Sequence, residues 1–304
     1  ALVRRHPDER CFGAQLAGKQ PPLMAEAARL AEAAGADFVD VNLGCPIDDA
    51  VRRGFGAALL RRASLVARIV EAMKSAVSIP VTVKLRLGWS SEKPTFLKVA
   101  LAAEAAGAEA ITLHGRSRAQ RYRKAADWNA VRALHDAVDV PVIGNGDVSH
   151  WTQARAHLDD GDCDAVMIGR WALARPWIFD EFANERTEEY DADRRVALLQ
   201  RYVELCFETL GSDERGRQRA RRFLTFHQDF FARYRRDHDP VSANSQDSRD
   251  WGTPPEGPLE SWLCRNDAAA SEALADWLVD GNDPEPPAPP TDDAVRAVKL
   301  RAAG

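Results

Sequence analysis

A repeated unit constrains the fold of this chain more than any other feature of its sequence. Each unit has a short run of apolar, mostly β-branched residues, a polar or glycine turn, and an alanine-rich amphipathic helix. Because the apolar runs leave no face for water, we expect a parallel sheet that helices cover. The predicted strands are at 11–18, 38–44, 80–88, 110–116, 141–147 and 165–170.

Helices are predicted between these strands. In the first, at 21–34, the spacing places Leu23, Ala27, Leu30 and Ala34 on one apolar face. The others are expected at 57–77, 95–106, 128–137 and 151–158, with a short helix through Phe182.

Residues with functional chemistry lie at the carboxyl ends of all six predicted strands, which is typical of a (β/α)8 TIM-type barrel. A doubly wound sheet would have a G-x-G-x-x-G turn after its first strand, and the sequence has none. We therefore expect an α/β TIM-type barrel that lacks its first two strands, so that the chain is truncated at its N-terminus. The strand-end residues are Gln15, Asn42 with Cys45, Lys84 with Arg86, His114 with Arg116, Asn145 with Asp147, and Gly169 with Arg170.

The strand pattern stops after Phe182, and an all-helical domain is predicted to follow. We expect an incomplete catalytic barrel over 1–186, a helical domain over 190–280 and a disordered tail over 281–304. The helical domain is predicted to contain helices at 193–210, 214–236 and 259–279, with a polar loop at 237–258.

The cysteines and the apolar runs favour an intracellular protein. Five cysteines without C-x-x-C spacing predict neither a zinc site nor a disulfide framework, and a reducing compartment is the simplest interpretation. No apolar run approaches the roughly 20 residues that span a bilayer, and no secretory signal pattern opens the chain. We expect a cytoplasmic or, in a eukaryote, nuclear monomer that binds neither membrane nor metal.

Cys45 is the candidate reacting group, because it lies past a strand end between Gly44 and Pro46. Free cysteines are usually small buried hydrophobes, and we assign the other four to packing. A thiol with a pKa of about 8.5 is mostly protonated at neutral pH, so it can serve as a general acid as well as a nucleophile. No histidine is suitably spaced to activate it, which favours the acid.

Two cations and a histidine are expected to point into the barrel. Strand alternation puts Thr82, Lys84 and Arg86 on one face, and His114 ends the next strand. An unpartnered buried lysine is costly, so we expect an anionic ligand, with a structural salt bridge as the alternative.

The last two strand ends indicate a phosphate site, which TIM barrels commonly have there. Gln15 could both donate to and accept from the imide edge of a heteroaromatic ring. Together with Lys84, these features favour flavin mononucleotide (FMN) as the cofactor. The candidate phosphate residues are Asn145, Gly146, Asp147, Gly169 and Arg170.

Ordered motifs between residues 15 and 180 resemble the tRNA-dihydrouridine synthases. Residues 118–122 and 126–128 look most like the type-3 branch of eukaryotes, and the resemblance is looser in the helical domain. The family's opening strand, with its Pro-x-Met-x-x-x-Thr-like turn, and the branch's zinc finger are not in this sequence. The motifs are residues 42–46 (NLGCP), 83–86 (VKLR), 114–118 (HGRSR), 144–147 (GNGD), 167–170 (MIGR) and 175–179 (RPWIF).

This resemblance implies that FMN, reduced by NADPH, reduces the C5–C6 double bond of a uridine in the variable loop of tRNA. It implies that hydride passes from flavin N5 to C6 and that Cys45 gives a proton to C5. It further implies that Gln15, Lys84 and His114 contact the isoalloxazine and that the phosphate residues above hold the ribityl phosphate. Asn42, Arg86 and Arg116 are candidate substrate contacts.

The predicted helix at 214–236 is unusually basic. Between Asp213 and Arg236 there are eight arginines and three acidic residues, a local charge of +5 in a chain whose net charge is −5. We expect these arginines, including Arg221 and Arg222, to contact tRNA phosphates rather than form a solvated face. The aromatic residues among them, Phe223, Phe226, Phe230, Phe231 and Tyr234, are expected to be core.

Two other functions stay open. A flavin enzyme for a small pyrimidine, of the dihydroorotate or dihydropyrimidine dehydrogenase kind, is disfavoured by the basic helical region. An RNA-binding protein that has lost catalysis is disfavoured because Cys45, Lys84 and His114 are present.

Overall fold

The computed structural model describes residues 3–234, 257–265 and 267–281. The chain divides into two compact units by its internal contacts. The first comprises Ala1–Val148 and Thr152–Ile168, and the second comprises Ser149–Trp151 and Gly169–Gly304. A catalytic domain that extends to residue 186 stays a prediction.

In the described residues, the sheet of the first unit has six parallel strands that neighbour one another in chain order, which is the order of a barrel. A doubly wound sheet would reverse its strand order at a switch point. The prediction of a barrel-type α/β sheet followed by helices is confirmed. The sheet strands are β1 (Gly13–Leu16), β2 (Phe38–Asn42), β3 (Val81–Arg86), β6 (Ala110–His114), β7 (Val142–Asn145) and β8 (Ala165–Met167), while β4 (Gly88–Ser90) and β5 (Lys93–Pro94) form a separate hairpin.

Helices follow the strands as the repeat predicts. Prolines open the first helix, where their missing N–H is not needed, and the Asp127 carboxylate caps the fifth by accepting from Ala130 N. The core lies between sheet and helices, and Val81, Val83 and Leu85 are fully buried in it. The helices are α1 (Pro21–Ala33), α2 (Asp48–Arg53), α3 (Ala63–Lys74), α4 (Phe96–Ala105), α5 (Trp128–His135) and α6 (Trp151–Asp159).

Two predicted elements of this unit differ in the structure. The helix expected at 57–77 is a 3₁₀ helix (Gly56–Arg61) followed by α3. The strand expected at 80–88 ends at Arg86, because β4 and β5 turn the chain back into the hairpin.

The buried face of α1 is also not the predicted one. Leu23 and Leu30 are 57% and 67% exposed, whereas Met24, Ala28 and Ala31 are buried. The buried stripe consists mostly of alanines, whose small side chains let the helix pack closely against its neighbours.

The second unit is helical in its described residues. Aspartates cap three helices, since Asp191, Asp213 and Asp267 each accept from a backbone N–H three residues later. The Asp267 cap also explains why the helix predicted at 259–279 is two helices. The predicted loop and tail fall almost entirely on residues 235–256 and 282–304, outside the described part. The helices are α7 (Arg170–Ala174), α8 (Ile178–Asn184), α9 (Ala192–Leu210), α10 (Glu214–Phe231), α11 (Gly257–Leu263) and α12 (Ala268–Ala275), and a π-helical turn (Asp276–Asp280) follows.

Candidate active site

The strand register brings polar residues of the first unit to one edge of the sheet. Asn42 pairs with Lys84, while His114 pairs with Arg86 on one side and with Asn145 on the other. Parallel strands present their carboxyl ends at the same edge, so residues far apart in the chain become neighbours there.

Cys45 is held in a fixed turn at the end of β2. Asn42 Oδ1 accepts from the backbone N–H groups of Gly44 and Cys45 at 3.1 and 2.9 Å. Gly56 packs against the cysteine so closely that an added Cβ would lie 2.9 Å from Cys45 Cβ, and its φ of +60° also favours glycine. The half-buried thiol is therefore presented by a turn that both neighbours restrict.

The remaining cysteines fit the packing assignment only in part. Cys163 and Cys206 are buried, and burial raises the pKa of each thiol. Cys264 is half-buried, and Cys11 is exposed near the chain start, so Cys11 does not serve packing. The packing assignment was wrong for Cys11, because the composition of the sequence does not show that the segment before β1 leaves this side chain exposed.

Lys84 is the cation that the strand pattern predicts inside the sheet. Its Nζ donates to Asn145 Oδ1 at 3.0 Å, and Asn145 Nδ2 in turn donates to Met167 O at 2.8 Å. Burial, with repulsion from Arg86 as the smaller cause, lowers the pKa of Lys84 from 10.5 to about 8, although Asp40 acts in the opposite direction. No carboxylate forms an ion pair with Lys84 among the described residues, so the lysine is suited to an anionic or electron-accepting ligand.

Asp40 is a site residue that sequence reasoning missed. Its carboxylate accepts from Gln15 Nε2 and from Thr82 Oγ1, both at 2.7 Å, and burial raises its pKa. Asn42 Nδ2 donates to Gln15 Oε1 at 2.6 Å, which links Gln15 to the Cys45 turn. The signal in the sequence was its position two residues before Asn42, on the same strand face.

His114 and Arg116 form a buried cluster with Asp147. Arg116 Nη2 pairs with Asp147 at 2.6 Å, and Arg116 Nη1 lies 3.3 Å from His114 Nε2. A guanidinium only donates, so this contact requires His114 Nε2 to be the acceptor and the ring proton to be on Nδ1. Arg116 also donates to Lys124 O, so the 114–126 loop is tied to the end of β7.

The glycine turn after β7 is built for close approach. Gly146 and Asp147 have φ values of +138° and +57°, and Trp128 Nε1 donates to Gly146 O at 3.1 Å. The Asp147 carboxylate also accepts from Ala126 N at 2.7 Å. The backbone of this turn thus lies near His114, and the hydrogen bonds of Asp147 hold the turn in place.

Arg86 stabilises the site from within. Only 3% exposed, it donates to the carbonyls of Gly44, Ser117 and Arg121 at 2.8–3.2 Å. It therefore braces the Cys45 turn and the 117–121 loop, and a substrate contact by Arg86 or by Arg116 stays a prediction.

Four predicted site residues belong to the second unit. Gly169 precedes α7 and Arg170 begins it, and their part in a phosphate site stays a prediction. The other two, Arg221 and Arg222, are consecutive on α10 but differ in their surroundings.

Arg221 is paired within the unit, whereas Arg222 is not. Arg221 forms ion pairs with Asp276 and, at 2.5 Å, with Asp280. Arg222 is exposed and, in the described part of the chain, pairs with no carboxylate. The same holds for three further arginines of the helix, Arg215, Arg217 and Arg219, while Arg235 and Arg236 lie outside the described residues.

The aromatic residues of α10 are not all core. Phe231 and Tyr234 are buried, but Phe223 and Phe226 are 49% and 59% exposed. Phe226 and Arg222 line a groove of about 520 Å³ between α10 and α12. The apolar spacing was misleading because α10 has two aromatic stripes and only one faces the unit's core.

Metal and membrane features are absent from the described residues. They contain no group of three or more His, Cys, Asp or Glu side chains that could hold a metal ion. None of their helices is long and apolar enough to cross a bilayer.

A family model described as dihydrouridine synthase matches residues 3–250. The chain belongs to the dihydrouridine synthase family. Because the match covers most of the chain, the resemblance inferred from the strand-end motifs is confirmed at the family level.

Curated relatives carry related names. A tRNA-dihydrouridine(47) synthase [NAD(P)(+)] of Malassezia globosa is 38% identical over 307 residues, covering 91% of this chain and 39% of that protein. A tRNA-dihydrouridine synthase B of Yersinia pestis is 45% identical over 55% of this chain and 52% of its own length. The human tRNA-dihydrouridine(47) synthase [NAD(P)(+)]-like protein is 36% identical over 77% of this chain and 36% of its own length. The chain thus spans about a third to a half of these relatives.

Proposed function

We propose that this chain reduces the C5–C6 double bond of a uridine in tRNA, using FMN and NADPH. The observation that carries the proposal is the fixed Cys45 turn at the same sheet edge as Lys84, in a chain of the dihydrouridine synthase family. The relatives' names give tRNA as substrate and NAD(P)⁺ as redox partner, and position 47 agrees with the variable-loop expectation.

The residues present fit a flavin. Lys84 has three N–H donors, and within the described part only Asn145 accepts from it, so donors remain for an electron-rich ring edge. Gln15 and His114 lie on the same sheet edge, and the backbone of the Gly146 turn suits a phosphate. Bound FMN would supply the hydride.

Cys45 is the proposed proton donor to C5. Asn42 and Gly56 fix the turn that carries Cys45, so the thiol needs little reorganisation when the uracil ring of the substrate binds. Lys84 would offset negative charge that develops in the site, since a cation in a water-poor pocket acts more strongly than one in water.

The exposed arginines of α10 are the proposed phosphate contacts, with Arg222 a stronger candidate than Arg221. Phe223 and Phe226 add faces on which unpaired bases could stack. Such contacts position an RNA without reading its sequence.

The proposal is tested by supplying the chain with FMN, NADPH and tRNA that lacks dihydrouridine, and by quantifying dihydrouridine in the digested RNA by mass spectrometry. We expect FMN to bind and dihydrouridine to form. Parallel reactions with orotate and free uracil separate the small-molecule alternative. Reduction of a free pyrimidine in preference to tRNA would contradict the proposal.

A further inference from the structure

A continuous chain of hydrogen bonds runs from the interior of the sheet to the Cys45 turn. Asp40 Oδ2 accepts from Gln15 Nε2 at 2.7 Å, and Gln15 Oε1 accepts from Asn42 Nδ2 at 2.6 Å. Asn42 Oδ1 then accepts from the backbone N–H groups of Gly44 and Cys45. Two side-chain amides thus connect a carboxylate to the turn.

The groups at the two ends of this series of hydrogen bonds impose a direction on it. The backbone N–H groups of Gly44 and Cys45 can only donate, and an ionised carboxylate at Asp40 can only accept. Each amide has one donor end and one acceptor end, so only one orientation of Gln15 and Asn42 satisfies every bond. In the reverse orientation Asn42 would point its NH₂ group at two N–H donors.

Strand register places these groups together. Gln15 on β1 pairs with Asp40 on β2, and Asp40 pairs with Thr82 on β3. Thr82 Oγ1 donates to the other carboxylate oxygen at 2.7 Å, so Thr82 holds Asp40 but is not part of the chain to Cys45. Thr82 therefore serves as a matched control for loss of a bond to the same carboxylate.

We propose that Asp40 is a positioning residue for Cys45, because as an acceptor-only group it orients Gln15 and Asn42 and so fixes the Gly44–Cys45 turn. The assignment of Cys45 as proton donor rests on the proposed function, whereas the orientation of the turn does not. Asp40 acts through two amides and need not touch the substrate.

The polarity of these hydrogen bonds predicts a specific outcome for paired substitutions. Asp40→Asn replaces the acceptor-only carboxylate by an amide that can either donate to Gln15 or accept from it. The orientation of Gln15 is then no longer fixed from the Asp40 end of the hydrogen-bond series. Adding Gln15→Glu places an acceptor-only carboxylate at position 15 instead of position 40. This carboxylate would accept both from the amide introduced at position 40 and from Asn42. Asn42 Oδ1 must then face the turn again.

The measurement is amide hydrogen exchange at Gly44 and Cys45 in the cofactor-free protein, followed by NMR. A bond to a charged group contributes more than a neutral one, by a margin equivalent to about a 5- to 10-fold change in exchange. We expect Asp40→Asn to accelerate exchange of both amides by about that factor. The double variant Gln15→Glu/Asp40→Asn should return to near the wild-type rate, and Thr82→Val should leave the rate unchanged.

The inference is overturned if Asp40→Asn leaves both amides protected, or if the double variant exchanges as fast as the single one. Equal acceleration by Thr82→Val would show that Asp40 only anchors β2 to β3. If Asp40→Asn does not fold, the double variant still decides, because its restored acceptor-only group should let it fold with a protected turn. Exchange needs neither FMN nor tRNA, so an inactive wild-type chain with the predicted exchange pattern would refute the proposed function alone.

Discussion

Arg222→Ala should weaken tRNA binding and reduce its salt dependence, whereas Arg221→Ala should leave the salt dependence unchanged. The two arginines are consecutive on α10, but only Arg221 is already neutralised, by Asp276 and Asp280. An arginine that is paired with carboxylates releases few counterions from RNA, since its charge is compensated before the RNA arrives.

The expected magnitude follows from the arginines at positions 215, 217, 219 and 222, which are exposed and pair with no carboxylate among the described residues. Each phosphate contact contributes about 0.7–0.9 to the slope of log affinity against log salt, so four would contribute about 3. Between about 50 and 200 mM salt, this slope corresponds to a loss of affinity of about 50- to 150-fold. Arg222→Ala should lower the slope by about 0.7–0.9 and reduce the loss by about threefold.

Filter binding or fluorescence anisotropy with labelled tRNA over a salt series gives these slopes for the wild type and both variants. Urea unfolding of Arg221→Ala provides a separate readout, because losing two partly exposed ion pairs should cost about 1 kcal/mol of stability or less. Equal slopes for the two variants, or an unchanged slope in Arg222→Ala, would refute the assignment of α10 as an RNA surface.

Two further predictions concern the first unit. The pKa of Lys84 is about 8 in the folded protein and 10.5 in the unfolded chain. Between pH 8 and pH 10.5 the unfolded state therefore binds more protons than the folded state. Relative to Lys84→Met, the free energy of unfolding of the wild type should therefore rise by up to about 3 kcal/mol from pH 8 to pH 10.5. Urea titrations of both proteins across this pH range that show no such difference would disprove the lowered pKa of Lys84. At Gly144 an added Cβ would lie 2.3 Å from the Trp128 ring, so Gly144→Ala should destabilise the protein by about 1–3 kcal/mol, whereas Gly169→Ala, where the Cβ meets nothing within 4 Å, should not change its thermal midpoint.

The strand-end chemistry was predictable because alternation along a strand encodes which side chains share a face. Lys84 and Arg86 could be placed on one face of the sheet because Val83 and Leu85 alternate with them. In the structure Arg86 is 3% exposed, and Lys84 Nζ reaches Asn145 two strands away. The same parity places Asp40 beside Asn42. An isolated aspartate in a strand carries no sign of its partners, since Gln15 and Thr82 reach it only through the register of three strands.

The surface of α10 was harder to predict for a related reason. Arg221 and Arg222 are equivalent in the local sequence, and the carboxylates that distinguish them follow more than 50 residues later. The spacing of Asp276 and Asp280 by four residues was the available signal, because it puts two acids on one helix face. Which aromatic stripe of α10 is buried likewise depends on helices that pack against it from elsewhere in the chain.

The role of Cys45 is tested most directly by comparing Cys45→Ala with Cys11→Ala, whose cysteine is exposed outside the strand-end cluster. Both variants should retain the visible absorbance of bound FMN and should oxidise NADPH. We predict that Cys11→Ala forms dihydrouridine in tRNA at the wild-type rate and that Cys45→Ala forms essentially none. Equal dihydrouridine formation by the two variants would contradict the assignment of Cys45 as the proton donor.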